Sequence, residues 1–298
     1  MEIMTAITSE QVMKLRNQTG AGIMDCKNAL RESQGDVEKA VEFLRKKGLS
    51  GLAKRAGREM KEGLVVIKIS DDCAKAAMLE INCETDFVAR NPEFKKIAGE
   101  ITGAMFDGFL AGNPAENQEA GARVQAFAVK TGENMKIRRG VVYSVSKPGE
   151  SINLYLHTDS KKGALVHLSA TTASADKSAE NAAAEAADEL KILAREIAMQ
   201  CVAMNPRYIK RADVPAELIE KEKEIYKASP QAQGKGGIAL EKMLEGRLNK
   251  FYQENCLLEQ ASIRDGKINV EQFIKNSEQK TGGKIEVRRF SCYIVGME

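Results

Sequence analysis

The sequence predicts an α+β protein in which a small helical module precedes two similar α+β subdomains, the second carrying an antiparallel helical hairpin. First, apolar residues recur at helical spacing within the first 52 residues. Second, two strand-like segments and then a helix lie between residues 63 and 111, and this order returns after residue 141. Third, a short loop rich in Gly, Pro and Gln joins two helical segments at about 214–253, which favours antiparallel neighbours. The expected boundaries are 1–52 for the module, 53–62 for a linker, and 63–140 and 141–298 for the subdomains.

The composition argues against several classes of protein. The 45 basic and 42 acidic residues leave a net charge of only +3, which argues against a nucleic-acid partner. The six cysteines are scattered without a CxxC pair, so they predict reduced thiols rather than a zinc site or a disulfide framework. No secretory signal is apparent, and no apolar stretch approaches the roughly 20 residues of a membrane helix. We therefore expect a cytoplasmic protein with no membrane partner.

The N-terminal module is predicted from its helix signals. Thr8 and Gln11 have the spacing of a capping box, and a glycine-containing break follows at residues 19–22. Asp36 is a suitable N-cap for a third helix, which we expect to end at Gly48. The apolar stripe of that helix consists of Val37, Ala40, Val41 and Leu44. Three short helices on one core are typical of a docking module, and the segment resembles a ubiquitin-associated-type fold.

A short polar segment in the first subdomain contains an unexpected aromatic residue. It follows a predicted strand whose alternation places Ala77, Leu79, Ile81 and Cys83 on one face. It precedes a helix that begins with Asn91 as N-cap and proline at the first helical position. Between them, Phe87 and Val88 stand beside Asp86. Such an aromatic side chain either returns to its own core or is offered to a partner, and the local pattern alone favours the core.

Two segments carry a resemblance to a known family. Residues 15–30 contain Leu-Arg, then Thr-Gly, then Lys followed by Ala-Leu, and residues 80–90 contain an intact Thr-Asp-Phe-Val. Both runs are similar to signatures of the elongation factor Ts family. Residues 241–247 resemble part of the coiled-coil arm of that family. The sequence leaves open whether this arm serves dimerisation, contact with elongation factor Tu, or neither.

The resemblance implies a guanine nucleotide exchange factor that binds elongation factor Tu in its GDP-bound and nucleotide-free forms. It would promote GDP release by disturbing the magnesium and phosphate site, and it allows a homodimer of the factor within the complex. The loop that would enter the partner's nucleotide site consists of Thr85, Asp86, Phe87 and Val88. The other implied contacts are Arg16, Ile23 and Met24 in the N-terminal module, together with Arg55 and His157.

No chemistry of its own is visible in the chain. The phosphate-loop pattern GxxxxGK[ST] is absent, and with two histidines no Ser/His/Asp or Cys/His set stands out. We therefore expect no catalytic residues, no cofactor and no metal. Three alternatives remain: a protein-binding adaptor that uses the N-terminal module, an enzyme that uses Cys83, and an RNA-binding protein with strongly salt-dependent affinity.

Overall fold

The computed structural model describes residues 7–55, 57–110, 112–172, 180–232 and 236–297. The fold is α+β, as predicted. By their contacts, the described residues form two compact units. Unit 1 lies within residues 1–66, 79–140 and 295–298, and unit 2 lies within residues 67–78 and 141–294.

Three helices at the N-terminus share one small core. They are α1 (Ser9–Thr19), α2 (Ile23–Glu32) and α3 (Val37–Arg55). The predicted capping box is confirmed, because the Gln11 N–H donates to Thr8 Oγ1 and the Gln11 side chain accepts from the Thr8 N–H. The predicted cap of α3 is also present, since the Lys39 N–H donates to Asp36 Oδ1. Fully buried residues at the centre of this core include Leu15, Cys26, Ala29, Leu30 and Ala40.

The prediction that the third helix ends at Gly48 was wrong, because α3 continues to Arg55. Gly48 lies where α3 packs against a later helix, α6 (Gln118–Thr131). A β-carbon at this position would overlap Val129 Cγ1. The glycine therefore allows a close approach between two helices instead of ending one of them.

The first sheet contains three strands in the order β1-β2-β3, with β2 in the centre. The strands are β1 (Glu62–Ile69), β2 (Lys75–Cys83) and β3 (Met135–Ser144), and each has residues in both units. The helices between β2 and β3 are α4 (Asp86–Arg90), α5 (Pro92–Asp107) and α6. Asn91 caps α5 as predicted, with its Oδ1 accepting from the Glu93 N–H at 2.8 Å.

Strand β2 is buried on both faces, which corrects the expectation of one buried face. Every residue from Ala76 to Cys83 is buried, including Glu80 and Asn82. The carboxylate of Glu80 is compensated by two ion pairs, with Arg138 Nη1 at 3.0 Å from Oε1 and Arg139 Nε at 2.7 Å from Oε2. A buried charge is tolerated only with such partners.

The second sheet is antiparallel, in the order β4-β5-β6. Its strands are β4 (Glu150–Leu156), β5 (Lys162–Thr172) and β6 (Gly283–Ile294). Helices α7 (Glu180–Met204) and α10 (Val270–Thr281) pack against it around a core that includes Leu193 and Ile197. In both sheets the second strand pairs with the third after intervening helices, so the repeated element order extends to the strand pairing.

The predicted helical hairpin is present. It consists of α8 (Ala216–Lys227) and α9 (Gly237–Asn255), which pack against each other. Near the base of the hairpin, Arg211 donates two hydrogen bonds of 2.5 and 2.7 Å to Glu259. The Arg211 guanidinium also lies over the ring of Tyr252. None of the described helices has the length and apolar character needed to cross a bilayer.

Candidate functional site

The segment that follows β2 is a five-residue helix, α4, with one strongly exposed aromatic side chain. Thr85 is its N-cap, and Thr85 Oγ1 accepts from the Val88 N–H at 3.4 Å. Phe87 has 82% of its surface exposed, whereas Val88 and Ala89 are buried. Helical spacing separates these side chains, because consecutive residues point about 100° apart around a helix. We call residues Thr85–Arg90 the tip.

The Phe87 side chain points outward to solvent and does not return to the core of its own subdomain. Val88, which we also expect in the loop that enters the partner's site, has a buried side chain. The buried Val88 side chain anchors the tip to the protein, and the bond from the Val88 N–H to Thr85 Oγ1 holds the first turn of α4 together. Asp86 remains accessible and pairs with Arg90 at 3.2 Å, so charged groups flank the exposed ring.

The tip is fastened by a turn that lies far away in sequence. The Thr85 N–H donates to Glu133 Oε2 at 3.0 Å, and Thr85 Oγ1 donates to Glu133 Oε1 at 2.6 Å. In the opposite direction, the Asn134 N–H donates to Glu84 Oε1 at 2.6 Å. Arg58 Nη1 lies 3.2 Å from Glu84 Oε2. The sequence did not reveal these contacts, since no spacing rule relates residue 85 to residue 133.

The three N-terminal candidates all lie on the surface of their module. Arg16 is exposed on α1, and Ile23 and Met24 are 48% and 64% exposed at the start of α2. Exposed single apolar residues are common, but two adjacent ones beside a glycine N-cap form an apolar surface that no other described residue covers.

Arg55 and His157 lie in different surroundings. Arg55 is the half-buried last residue of α3, and its carbonyl accepts from Asn134 Nδ2 at 3.2 Å, next to the turn that holds the tip. His157 belongs to unit 2 and its Nδ1 lies 3.0 Å from Asp159 Oδ1. Burial opposes the ionisation of Asp159, but bonds from the Lys161 N–H and His157 hold its pKa below the usual value.

A shallow cavity of about 290 Å³ lies beside His157 in unit 2. Its lining includes Tyr155, Lys162 and Met199, and the rings of Tyr155 and His157 meet edge to face at 6.4 Å. The other histidine, His167, is buried in mid-strand, and burial lowers its pKa. His157 is thus the accessible histidine of the pair.

The geometry of Cys83 argues against the enzyme alternative. Cys83 is fully buried, and its Sγ donates to the Thr85 carbonyl at 3.2 Å. Burial, with the nearby Glu133 and Glu62 carboxylates, raises the pKa of the Cys83 thiol to about 12. A thiol attacks as the thiolate, so Cys83 is a poor nucleophile at neutral pH.

We expect Cys83 to resist iodoacetamide in the folded protein at pH 8, because the thiol is buried and this pH lies about four units below its pKa of about 12, so the thiol stays protonated. In denaturant, the rate at which iodoacetamide alkylates Cys83 should rise to that of a free cysteine. Mass spectrometry of the peptide that contains Cys83 measures both rates. Labelling of the folded chain as fast as a free cysteine would contradict this description of the site.

Within the described part of the chain, no group of three or more His, Cys, Asp or Glu residues is arranged to hold a metal ion. The described features therefore define a class by fold and surface: an α+β protein with an N-terminal helical module and a firmly held aromatic tip exposed to solvent.

Comparison with known proteins gives the family. The model of the family described as Elongation factor TS matches residues 84–297, more than half of the chain. The elongation factor Ts of Symbiobacterium thermophilum is 40% identical over 293 residues, covering 98% of this chain and 93% of that protein. The elongation factor Ts of Aquifex aeolicus is 38% identical over 305 residues, with 98% of each chain covered. The chain belongs to the elongation factor Ts family and has the role of a translation elongation factor.

Proposed function

We propose that this chain is a guanine nucleotide exchange factor for elongation factor Tu. It binds the GDP-bound and nucleotide-free forms of that GTPase and accelerates GDP release by disturbing the magnesium and phosphate site. The observation that carries the proposal is Phe87, which stands 82% exposed on a short helix whose other apolar side chains are buried. Family membership supplies the partner.

An exchange factor needs no chemistry of its own. It must bind the empty GTPase more tightly than the loaded one, and reciprocity of binding free energies then weakens the nucleotide. Nucleotide on such a GTPase is held by a phosphate loop and magnesium, so a side chain that displaces either element lowers its affinity. We accordingly assign this chain no catalytic residue, cofactor or metal.

The construction of the tip supports this assignment. An isolated helix of five residues is unstable in water, yet α4 is fastened at its N-cap by Thr85 and through the buried Val88. A prearranged side chain loses little conformational freedom on binding, so more of its contact energy acts on the partner. In this proposal Phe87 wedges open the magnesium side of the site, and Asp86 perturbs nearby polar groups.

The remaining candidate residues provide affinity away from the nucleotide. Ile23 and Met24 supply apolar surface and Arg16 supplies charge from the N-terminal module. Arg55 and His157 supply further polar contacts with elongation factor Tu. Loss of these groups should raise the concentration of factor needed for half-maximal exchange more than it lowers the maximal rate.

The test uses elongation factor Tu loaded with a fluorescent GDP and mixed with excess unlabelled GDP. Increasing amounts of this chain should raise the rate of fluorescence loss to a plateau. Chelation of magnesium gives a reference for fast release, and buffer gives the spontaneous rate. A release rate that stays at the buffer value across the titration would reject the proposal.

The exposed Ile23 and Met24 also support a second candidate, a protein-binding adaptor that works through the N-terminal module. Such an adaptor would form a complex without accelerating GDP release. The same titration, combined with a direct binding measurement on elongation factor Tu, separates the two functions.

A further inference from the structure

We infer that Glu133 is a positioning residue for nucleotide exchange: its carboxylate sets the orientation of the tip and so presents Phe87 without itself contacting the partner. The inference rests on the proposed function and adds a residue to it. Glu133 lies in the turn between α6 and β3, 48 positions after Thr85 in the sequence.

Glu133 uses both of its carboxylate oxygens on one residue. Oε2 accepts the Thr85 N–H at 3.0 Å, and Oε1 accepts the Thr85 hydroxyl proton at 2.6 Å. Hydrogen bonds to a carboxylate are shorter and stronger than those between neutral groups. Both residues are half-buried, so water competes less for these bonds than at a fully exposed site.

The carboxylate also fixes the direction of the next bond. A hydroxyl has one proton, and an ionised carboxylate can only accept, so the Thr85 hydroxyl must donate to Glu133. The lone pairs of Thr85 Oγ1 are then left to accept the Val88 N–H, whose nitrogen lies 3.4 Å from Thr85 Oγ1. Glu133 thus makes Thr85 an acceptor for the first turn of α4, the helix that carries Phe87.

A reciprocal bond keeps the turn in place. The Asn134 N–H donates to Glu84 Oε1 at 2.6 Å, so each segment offers a carboxylate to a backbone N–H of the other. Gly132 supports this geometry with a left-handed conformation, φ 76°, at the end of α6. The tip is therefore held by residues outside its own six positions.

The experiment measures GDP release from elongation factor Tu with the full-length variants Glu133→Ala and Glu133→Gln. We expect Glu133→Ala to lower the plateau release rate about tenfold, the effect of losing a charge-assisted hydrogen bond that orders the tip. The plateau release rate of Glu133→Gln should lie between those of the native chain and Glu133→Ala, because the glutamine amide keeps one acceptor oxygen and places an N–H donor where the second oxygen was. The matched control Glu100→Ala removes a carboxylate on α5 that pairs with Arg123 on α6, and it should leave the plateau release rate unchanged.

A double variant separates positioning from general destabilisation. If Glu133 acts through Phe87, the pair Glu133→Ala/Phe87→Ala should release GDP no more slowly than Phe87→Ala alone. An equal slowing by Glu133→Ala in both backgrounds would overturn the inference, as would a native rate for Glu133→Ala.

Amide hydrogen exchange gives a readout that does not depend on activity. We expect the Val88 amide to exchange about tenfold faster in Glu133→Ala than in the native chain, and unchanged protection would overturn the inference. Failure of the native chain to accelerate GDP release would instead reject the proposed function, while the Val88 amide would still decide whether Glu133 orders the tip.

Discussion

Replacing Phe87 with alanine should slow the release of GDP from elongation factor Tu by about ten- to hundredfold at saturating factor. The estimate follows from the burial of one phenylalanine, about 1.5–3 kcal/mol, and from about 1.4 kcal/mol for each tenfold change. The ring is exposed in the free chain, so its contact energy becomes available only on the partner. The measurement is the plateau rate of fluorescent GDP release.

The chain offers a matched control for this substitution. Phe109 is 87% exposed and also lies in unit 1, but outside the tip. Phe109→Ala removes the same side chain from a similarly exposed position and should leave the plateau rate unchanged. If Phe87→Ala and Phe109→Ala release GDP equally fast, the tip is not the exchange element.

Asp86→Ala should lower the plateau release rate less than Phe87→Ala does, because the Asp86 carboxylate already shares its charge with Arg90.

Replacing Glu80 with alanine should destabilise unit 1 by about 3 kcal/mol, the lower end of the cost of breaking a buried ion pair. Glu80 is fully buried, and its removal leaves Arg138 and Arg139 without their shared carboxylate. These arginines are 24% and 35% exposed, so they can regain water, which keeps the cost from rising further. The melting temperature should fall by roughly 6–12 °C.

Glu259→Ala provides the comparison for an ion pair nearer the surface. Glu259 also binds an arginine through two hydrogen bonds, but its side chain is 25% exposed and that of Arg211 is 45% exposed. Solvent-exposed pairs contribute about 0–1 kcal/mol, so this variant should unfold close to the native temperature. Equal losses from Glu80→Ala and Glu259→Ala would show that burial does not set the value of the Glu80 pairs.

The features that sequence analysis predicted well are local. The Thr8–Gln11 capping box and the Asn91 cap are confirmed, because each depends on residues within three positions of one another. The α+β class and the helical hairpin also follow from patterns within short windows. Periodicity and capping chemistry suffice for such elements.

The features that it missed depend on contacts between distant residues. Gly48 has the identity of a helix terminator, and only the presence of Val129 explains why α3 continues through it. Glu80 has the identity of a surface residue, and only the arginines of β3 make its burial tolerable. Val88 shares a motif with Phe87, yet α4 turns the two side chains in different directions.

The close fit of Gly48 against Val129 bears on how the chain can be shortened. The aliphatic part of Lys130 fills a second such contact, since a β-carbon at Gly20 would lie 2.8 Å from its Cε. A fragment that began at residue 53 would remove both of these contacts from α6 and uncover the side chain of Val129 and the aliphatic part of Lys130. Truncated chains intended to isolate the tip should therefore retain the first three helices.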